Sequence, residues 1–377
     1  MNFINFNNAG ASLLDQSTKN EISKYLKLET KISGYYIEQE KKKILDNFYL
    51  NAAKLLNCKP KEISFLQSTT YGWNLFINSL TTKKKSNVVI FDNEYGSNYI
   101  SLINNNFNVR ISKLKENGQI SFEDLKEKID EYTALVAVCH IASQCGNILD
   151  IEKLGRFIKK INSNIIFLID ACQSAGHLKL NVKKNMCDAL VCSGRKYLRG
   201  PRGTGLIFIK DSIQKNITPK IIDTTKSKII GRNLSIFNKE NIFETFEYSP
   251  SLKIGLSKAI EKFNNLGHKK IELKIKNLSK YFRKKISSNP LVIIHENEKL
   301  ISGINTFSIK GKQSHDIYSF LKQKKMITSV SAFQTSTHYF KKKKCNEVVR
   351  VSFHYFNKKK EVDYLVSCIN NLTKKIK

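Results

Sequence analysis

Short apolar runs alternate with longer amphipathic segments over the first two thirds of this chain. The runs are four to six residues long, which is typical of strands buried on both faces, and the segments between them have helical spacing. Predicted strands lie at residues 88–91, 109–114, 135–140, 165–169, 189–192 and 206–209. Their alternation with helices predicts a mainly parallel central sheet flanked by helices, which is an α/β fold.

The pattern changes after residue 250. A long helical stretch continues to about residue 287, and strands at 304–309 and 348–353 then alternate with helices at 315–325 and 361–374. This pattern predicts a smaller α+β domain. The expected organisation is an N-terminal segment at 1–14, a large domain at 15–250 and a small C-terminal domain at 251–377.

The chain is strongly basic, with 377 residues and a net charge of +32. Its lysines are spread over the whole length, and its aromatic residues lie in apolar runs instead of between basic residues, so no nucleic-acid partner is expected. A membrane span needs a run of about 18 or more apolar residues, which the sequence lacks, so no membrane association is expected either. The N-terminus also lacks the basic and then apolar pattern of a signal peptide.

The eight cysteines are scattered, several of them inside predicted strands. They form neither a CxxC pair nor the Cys/His spacing of a zinc site, so the sequence predicts reduced thiols, a cytoplasmic location and no metal. P-loop, GxGxxG, GxSxG and HExxH motifs are also absent. His140 ends a predicted strand without an acidic partner, and we interpret it as structural.

The turn at residues 193–205, with the sequence SGRKYLRGPRGTG, carries the most information. It joins two predicted strands and places a hydroxyl (Ser193), a guanidinium (Arg195) and an amine (Lys196) side by side. Arginine binds phosphate in a fork, and a lysine amine forms imines with carbonyl compounds. The turn therefore predicts a site that binds a phosphate next to a reactive lysine.

Two polar residues follow the preceding strand. Asp170 comes directly after five apolar residues, so its carboxylate is partly buried and needs a cationic partner, such as a protonated pyridine nitrogen, unless it only caps a turn. Gln173 follows three residues later and either donates a hydrogen bond to the same ring or lies in a surface turn. Ligands bind beyond the carboxyl ends of strands in such sheets, which is where both residues fall.

Three further positions are candidates. Ser68, Thr69 and Thr70 precede a predicted helix, where they bind an anion or simply cap the helix. Tyr95 follows a strand and either stacks on a ring or belongs to the core. Arg350 lies inside an apolar strand, so it needs a carboxylate from the protein or from a substrate.

Taken in sequence order, these residues and motifs resemble those of the class V aminotransferase and cysteine desulfurase family, over nearly the whole chain. The resemblance implies a homodimer of fold type I that binds pyridoxal 5'-phosphate. Lys196 would bind the cofactor covalently, Asp170 would pair with the ring nitrogen, and Gln173 and Ser143 would approach the 3-oxygen. The resemblance also implies the following contacts: phosphate at Thr69, Thr70, Ser193 and Arg195, ring stacking by Tyr95, and substrate at Arg350, Ala9 and Gly10 of the N-terminal segment.

One departure affects the expected reaction. Cysteine desulfurases use a nucleophilic cysteine on a loop well before the carboxylate-binding arginine, but residues 331–344 contain no cysteine and Cys345 is only five residues before Arg350. The turn at 193–205 also resembles the branch of ergothioneine-type C–S lyases and isopenicillin N epimerase-like proteins. We therefore expect C–S β-elimination from a cysteine-derived amino acid. The alternatives are a class V aminotransferase or epimerase, a cysteine desulfurase or selenocysteine lyase, and a binding protein that only retains the fold.

Overall fold

The computed structural model describes residues 3–81, 86–214 and 217–374. In chain order the strands are β1 (Ile4–Asn5), β2 (Ile63–Leu66), β3 (Asn87–Phe91), β4 (Asn108–Ser112), β5 (Thr133–Cys139), β6 (Ile166–Asp170), β7 (Ala189–Ser193), β8 (Gly205–Ile209), β9 (Ser227–Ile230), β10 (Asn233–Ile236), β11 (Val292–Ile294), β12 (Ile304–Ile309), β13 (Met326–Ile327), β14 (Ser329–Ala332) and β15 (Glu347–Ser352).

The α-helices surround these strands. In chain order they are α1 (Gln16–Glu29), α2 (Gly34–Glu40), α3 (Lys42–Leu56), α4 (Thr69–Ser79), α5 (Gly96–Asn104), α6 (Phe122–Lys128), α7 (Ile151–Ile161), α8 (Asp211–Gln214), α9 (Pro250–Leu266), α10 (His268–Ile286), α11 (Ser314–Gln323), α12 (Thr337–Lys343) and α13 (Lys359–Lys374). No helix among the described residues is long and apolar enough to cross a membrane.

The central sheet has seven strands in the order β2-β8-β7-β6-β5-β3-β4. Five neighbouring strands, from β7 to β4, are parallel, whereas β8 runs antiparallel to both β7 and β2. The reversal arises because β8 follows β7 through a turn, without the crossover helix that a parallel pair needs. The predicted mainly parallel sheet is therefore confirmed, with one reversed strand.

Both faces of the sheet are buried, which explains its continuous apolar runs. Alternate residues of β3 pack into two different cores: Val89 and Phe91 into one, Val88 and Ile90 into the other. Successive side chains of a strand point to opposite faces, so a strand covered by helices on both sides needs apolar residues at every position.

The C-terminal part forms a four-stranded antiparallel sheet in the order β11-β12-β15-β14, with its own apolar core. The predicted long helix is divided at Gly267, whose φ of 81° ends α9 and favours glycine. Helix α9 packs on α1 and α3 beside the large sheet, and α10 leads into the small one. The division after residue 250 stays a prediction.

The N-terminal segment connects the two sheets. β1 pairs with β13, and Asn7 then bridges to Ser352 at the end of β15. A few residues later the Ser12 N–H donates to the Arg195 carbonyl in the turn after β7. Residues 7–12 therefore run between the strand of Arg350 and the turn of Lys196.

Candidate active site

A cleft lies at the carboxyl ends of the parallel strands, where sheets of this type bind ligands. It brings together all nine residues that were predicted to bind the cofactor, along with four others. The lining residues are Ser68, Thr69, Thr70, Tyr95, Cys139, Ile141, Ser143, Asp170, Cys172, Gln173, Ser193, Arg195 and Lys196. Their roles in binding remain predictions.

The turns after β6 and β7 pack directly against each other. Gly176 has a φ of 83°, and a Cβ at this position would lie 2.4 Å from the Tyr197 carbonyl carbon, so only glycine permits this approach. The Tyr197 ring stacks on His177 with a centroid distance of 4.7 Å. These contacts hold Lys196, which precedes Tyr197, at a fixed position relative to the turn that begins with Asp170.

Asp170 is buried at the end of β6. Its Oδ1 accepts a hydrogen bond from the Cys172 N–H at 2.8 Å, and its Oδ2 accepts one from the Asn98 amide at 2.9 Å. Burial raises the pKa of Asp170, while these hydrogen bonds and the charge of Lys196 act in the opposite direction. The result is an oriented carboxyl group whose charged form a cation in the cleft would stabilise.

Hydroxyl groups and a helix N-terminus form another part of the cleft lining. Ser68 caps α4 by accepting from the Tyr71 N–H, and Thr69 is the first helical residue. The Oγ atoms of Thr69 and Ser193 are 2.7 Å apart. Together with the Arg195 guanidinium and the helix dipole, they provide the donors and positive charge that a phosphate requires.

Two cleft residues contact the N-terminal segment. Gln173 donates through its amide to the Ala9 carbonyl at 3.1 Å, and its Oε1 is buried without a hydrogen-bond partner among the described residues. The Arg195 guanidinium donates to the Gly10 carbonyl. Ala9 and Gly10 therefore contact two residues that line the cleft, and their role in binding a substrate stays a prediction. The predicted contact of Gln173 with the cofactor oxygen requires the amide to turn its NH₂ group into the cleft.

Arg350 is buried on β15 and contacts a residue that lines the cleft. Its guanidinium donates to the Ser143 carbonyl at 3.2 Å and to Asn7 Oδ1 at 3.0 Å, while its Nε has no hydrogen-bond partner among the described residues. Burial lowers the pKa of Arg350 to about 10. In the described part of the chain it forms no ion pair with Asp or Glu, so the carboxylate that it needs would come from a substrate.

None of the eight cysteines lies in the segment 331–344. All eight are free, and two of them, Cys139 and Cys172, line the cleft. Cys345 instead packs against the cluster of Tyr339, Phe340 and Val348, and burial raises the pKa of its thiol. The cysteine-free segment 331–344 packs against the start of α5, where a Cβ on Gly96 would meet the Gln334 carbonyl oxygen at 2.2 Å.

Sequence reasoning missed several members of the site. Asn7 contacts Arg350 from the far end of the chain, and no local pattern reveals such a pair. Cys172 lies between Asp170 and Gln173, and its thiol is 3.1 Å from the Thr69 hydroxyl. Glu94 is buried behind Asp170, and its spacing of four from Asn98 at the start of a helix was an available signal.

Comparison with known proteins identifies the family of this chain. The family model described as aminotransferase class-V matches residues 4–365. The chain is 30% identical to a probable cysteine desulfurase of Borreliella burgdorferi over 356 residues, which cover 90% of this chain and 82% of the relative. It is 28% identical to a probable cysteine desulfurase of Mycoplasma genitalium, with 97% of this chain and 90% of the relative covered.

Solved structures have the same architecture. The apo cysteine desulfurase of Thermococcus onnurineus NA1 superposes with a TM-score of 0.91 at 24% identity, covering 99% of this chain and 95% of that one. The cystine C–S lyase C-DES, in complex with its product cysteine persulfide, gives a TM-score of 0.86 at 18% identity, covering 97% of each chain. These similarities confirm the predicted fold.

Proposed function

This chain belongs to the class V aminotransferase family of pyridoxal-phosphate-dependent enzymes, and we propose that it cleaves the C–S bond of L-cysteine or of a cysteine-derived amino acid. The observation that carries the proposal is the placement of Lys196 in one cleft with buried Asp170, beside a buried Arg350 that has no acidic partner within the described part of the chain. The names of the relatives support sulfur-containing amino acids as the substrate class.

The cleft residues fit pyridoxal phosphate. Asp170 would pair with the ring nitrogen, and its buried carboxyl is oriented by two donors. The hydroxyls of Thr69 and Ser193 would hold the phosphate together with Arg195. Gln173 Oε1 is a buried polar atom that no described residue pairs with, which is consistent with a polar ligand beside it.

The chain's own residues account for substrate orientation and proton transfer. When bound, pyridoxal phosphate supplies an electron sink for negative charge at the substrate Cα. The Lys196 amine would remove and return the Cα proton as general base and acid. Arg350 would hold the substrate α-carboxylate in its fork, which fixes the orientation of the Cα–H bond.

Two fates of the sulfur atom remain as candidates. The names of the relatives favour the desulfurase reaction, in which an enzyme thiol takes the sulfur as a persulfide and cysteine becomes alanine. The earlier expectation of C–S β-elimination has less support from the comparisons. It stays the second candidate because no cysteine lies in the segment 331–344, and because elimination releases sulfide, pyruvate and ammonia without a protein thiol.

Product analysis with L-cysteine, cystine and cysteine conjugates tests the proposal. Alanine with protein-bound persulfide indicates a desulfurase, whereas pyruvate and ammonia in equal amounts indicate elimination. We expect Cys345→Ser to leave kcat unchanged, because its thiol packs outside the cleft. A matched variant, Cys172→Ser, tests one of the two thiols that line the cleft. Release of no sulfur from any of these substrates would refute the proposed function.

We also propose a homodimer in a reducing compartment such as the cytoplasm. Large apolar side chains are exposed on the hairpin of β9 and β10 and just after it, including Ile229, Leu234 and Phe237. Such surfaces are typical of protein interfaces, and eight free thiols are typical of a reducing environment. Light scattering should give twice the monomer mass of 43.3 kDa, and a concentration-independent monomer would contradict the dimer.

A further inference from the structure

A second carboxyl group lies buried behind Asp170. The Asn98 side-chain NH₂ donates to Glu94 Oε1 at 2.8 Å and to Asp170 Oδ2 at 2.9 Å. The Cys139 thiol donates to Glu94 Oε1 at 2.9 Å and lies 3.8 Å from Asp170 Oδ2. One amide and one thiol therefore bridge the two carboxyls.

Three elements build this arrangement. Glu94 stands just before α5, and Asn98 lies four residues later on the first turn of that helix. Cys139 ends β5 directly beside Asp170 on β6, because the two residues are in register. The Tyr95 N–H also donates to Glu94 Oε1 at 2.9 Å. The Glu94 carboxyl is therefore held in place from both the helix and the sheet.

The charged forms of the two carboxyls are stabilised to different extents. The ionised form of Asp170 is stabilised by a hydrogen bond from the Cys172 N–H and by the charge of Lys196, which follows β7. Glu94 faces Asn98, Cys139 and the like charge of Asp170, and no described residue forms a hydrogen bond with its buried Oε2. Burial raises the pKa of Glu94 to about 7. The proton that such a pair retains therefore resides on Glu94.

We propose that Glu94 is a positioning residue for Asp170, and that ionisation of Glu94 strengthens the hold of Asp170 on a protonated ring nitrogen of the cofactor. A positive charge bound at Asp170 favours the ionised form of Glu94. The affinity for the cofactor should therefore rise as Glu94 loses its proton near pH 7, and it should fall again when Glu94 is protonated at lower pH. This inference depends on the family's cofactor and not on the sulfur substrate, so its failure is distinguishable from failure of the proposed function.

The test compares Glu94→Gln with Glu296→Gln. Glu296 is the matched control, because it is also buried, its pKa is also raised to about 7 by burial, and it accepts hydrogen bonds from Thr306 in the small sheet. The dissociation constant of pyridoxal phosphate is measured for each apoprotein at pH 6 and pH 8. At pH 6 we expect the Glu94→Gln variant to bind pyridoxal phosphate about as tightly as the unsubstituted protein does. At pH 8 we expect it to bind about tenfold more weakly, which corresponds to a change of about one unit in the pKa of Glu94 when the cofactor binds.

The inference would be overturned if the ratio of the dissociation constants of Glu94→Gln and the unsubstituted protein were the same at both pH values, because a purely structural role does not depend on pH. It would also be overturned if Glu296→Gln showed the same pH-dependent loss of affinity. A second measurement needs no substitution at Glu94. In the Glu296→Gln protein at pH 7, infrared difference spectra should show that cofactor binding removes a protonated-carboxyl band. An unchanged carboxyl band would also overturn the proposal.

Discussion

Replacing Lys196 with alanine should lower kcat by at least about 1,000-fold while pyridoxal phosphate still binds without a covalent bond. Among the described residues, Lys196 is the lysine that lines the cleft, so no neighbouring amine can take over proton transfer at Cα. Steady-state assays of product release give the loss in rate. Borohydride treatment should attach the cofactor to the original protein and not to the variant.

Lysine is abundant in this chain, so the control must show that the loss is specific. Lys126 is exposed on α6, away from the cleft, and Lys126→Ala should retain full activity. Turnover by Lys196→Ala at more than a tenth of the original rate would remove Lys196 from the catalytic role, provided that both variants bind the cofactor.

Replacing Arg350 with alanine should reduce kcat/KM for amino-acid substrates by about 2–5 kcal/mol, or roughly 30- to 5,000-fold. The guanidinium is buried and is held by the Ser143 carbonyl and by Asn7, without an acidic partner among the described residues. A substrate carboxylate would provide that partner. Kinetics with L-cysteine, or with the substrate identified by product analysis, measure the loss.

A substrate without the carboxylate charge separates this role from a structural one. The methyl ester of the same amino acid should be a poor substrate for the original protein, and Arg350→Ala should no longer discriminate against it. Arg350→Lys keeps the charge but lacks the fork, so we expect an intermediate loss. Undiminished kcat/KM in Arg350→Ala, or unchanged discrimination, would exclude a contact with the carboxylate.

The large sheet was predictable because both of its faces are covered. Each central strand is then a continuous apolar run, and the predicted strand at 165–169 differs from β6 only at its ends. The split at Gly267 was missed because both α9 and α10 have helical spacing up to the break. Strand β2 was not predicted, since four residues before a helix give little periodicity.

The site residues could be predicted from the sequence only where they end neighbouring strands of the predicted sheet. Asp170 and Ser193 end neighbouring parallel strands, so their meeting follows from topology. The pairing of Asn7 with Arg350 joins residues 343 positions apart and depends on how the small sheet docks. The reaction was harder to predict than the site, because the expectation of elimination depended on one missing thiol, whereas the similarity of the whole chain favours the desulfurases.

The path of the N-terminal segment has a consequence for the order of folding. The Asn8 amide donates to the Ser352 carbonyl at 2.7 Å, and the Ala9 N–H donates to the Ser352 hydroxyl at 2.9 Å. Residues 8 and 9 can therefore reach these positions only once β15, the last strand of the described chain, is in place. Since Ala9 and Gly10 contact Gln173 and Arg195, we expect this side of the cleft to be completed late in folding, after the small sheet has formed.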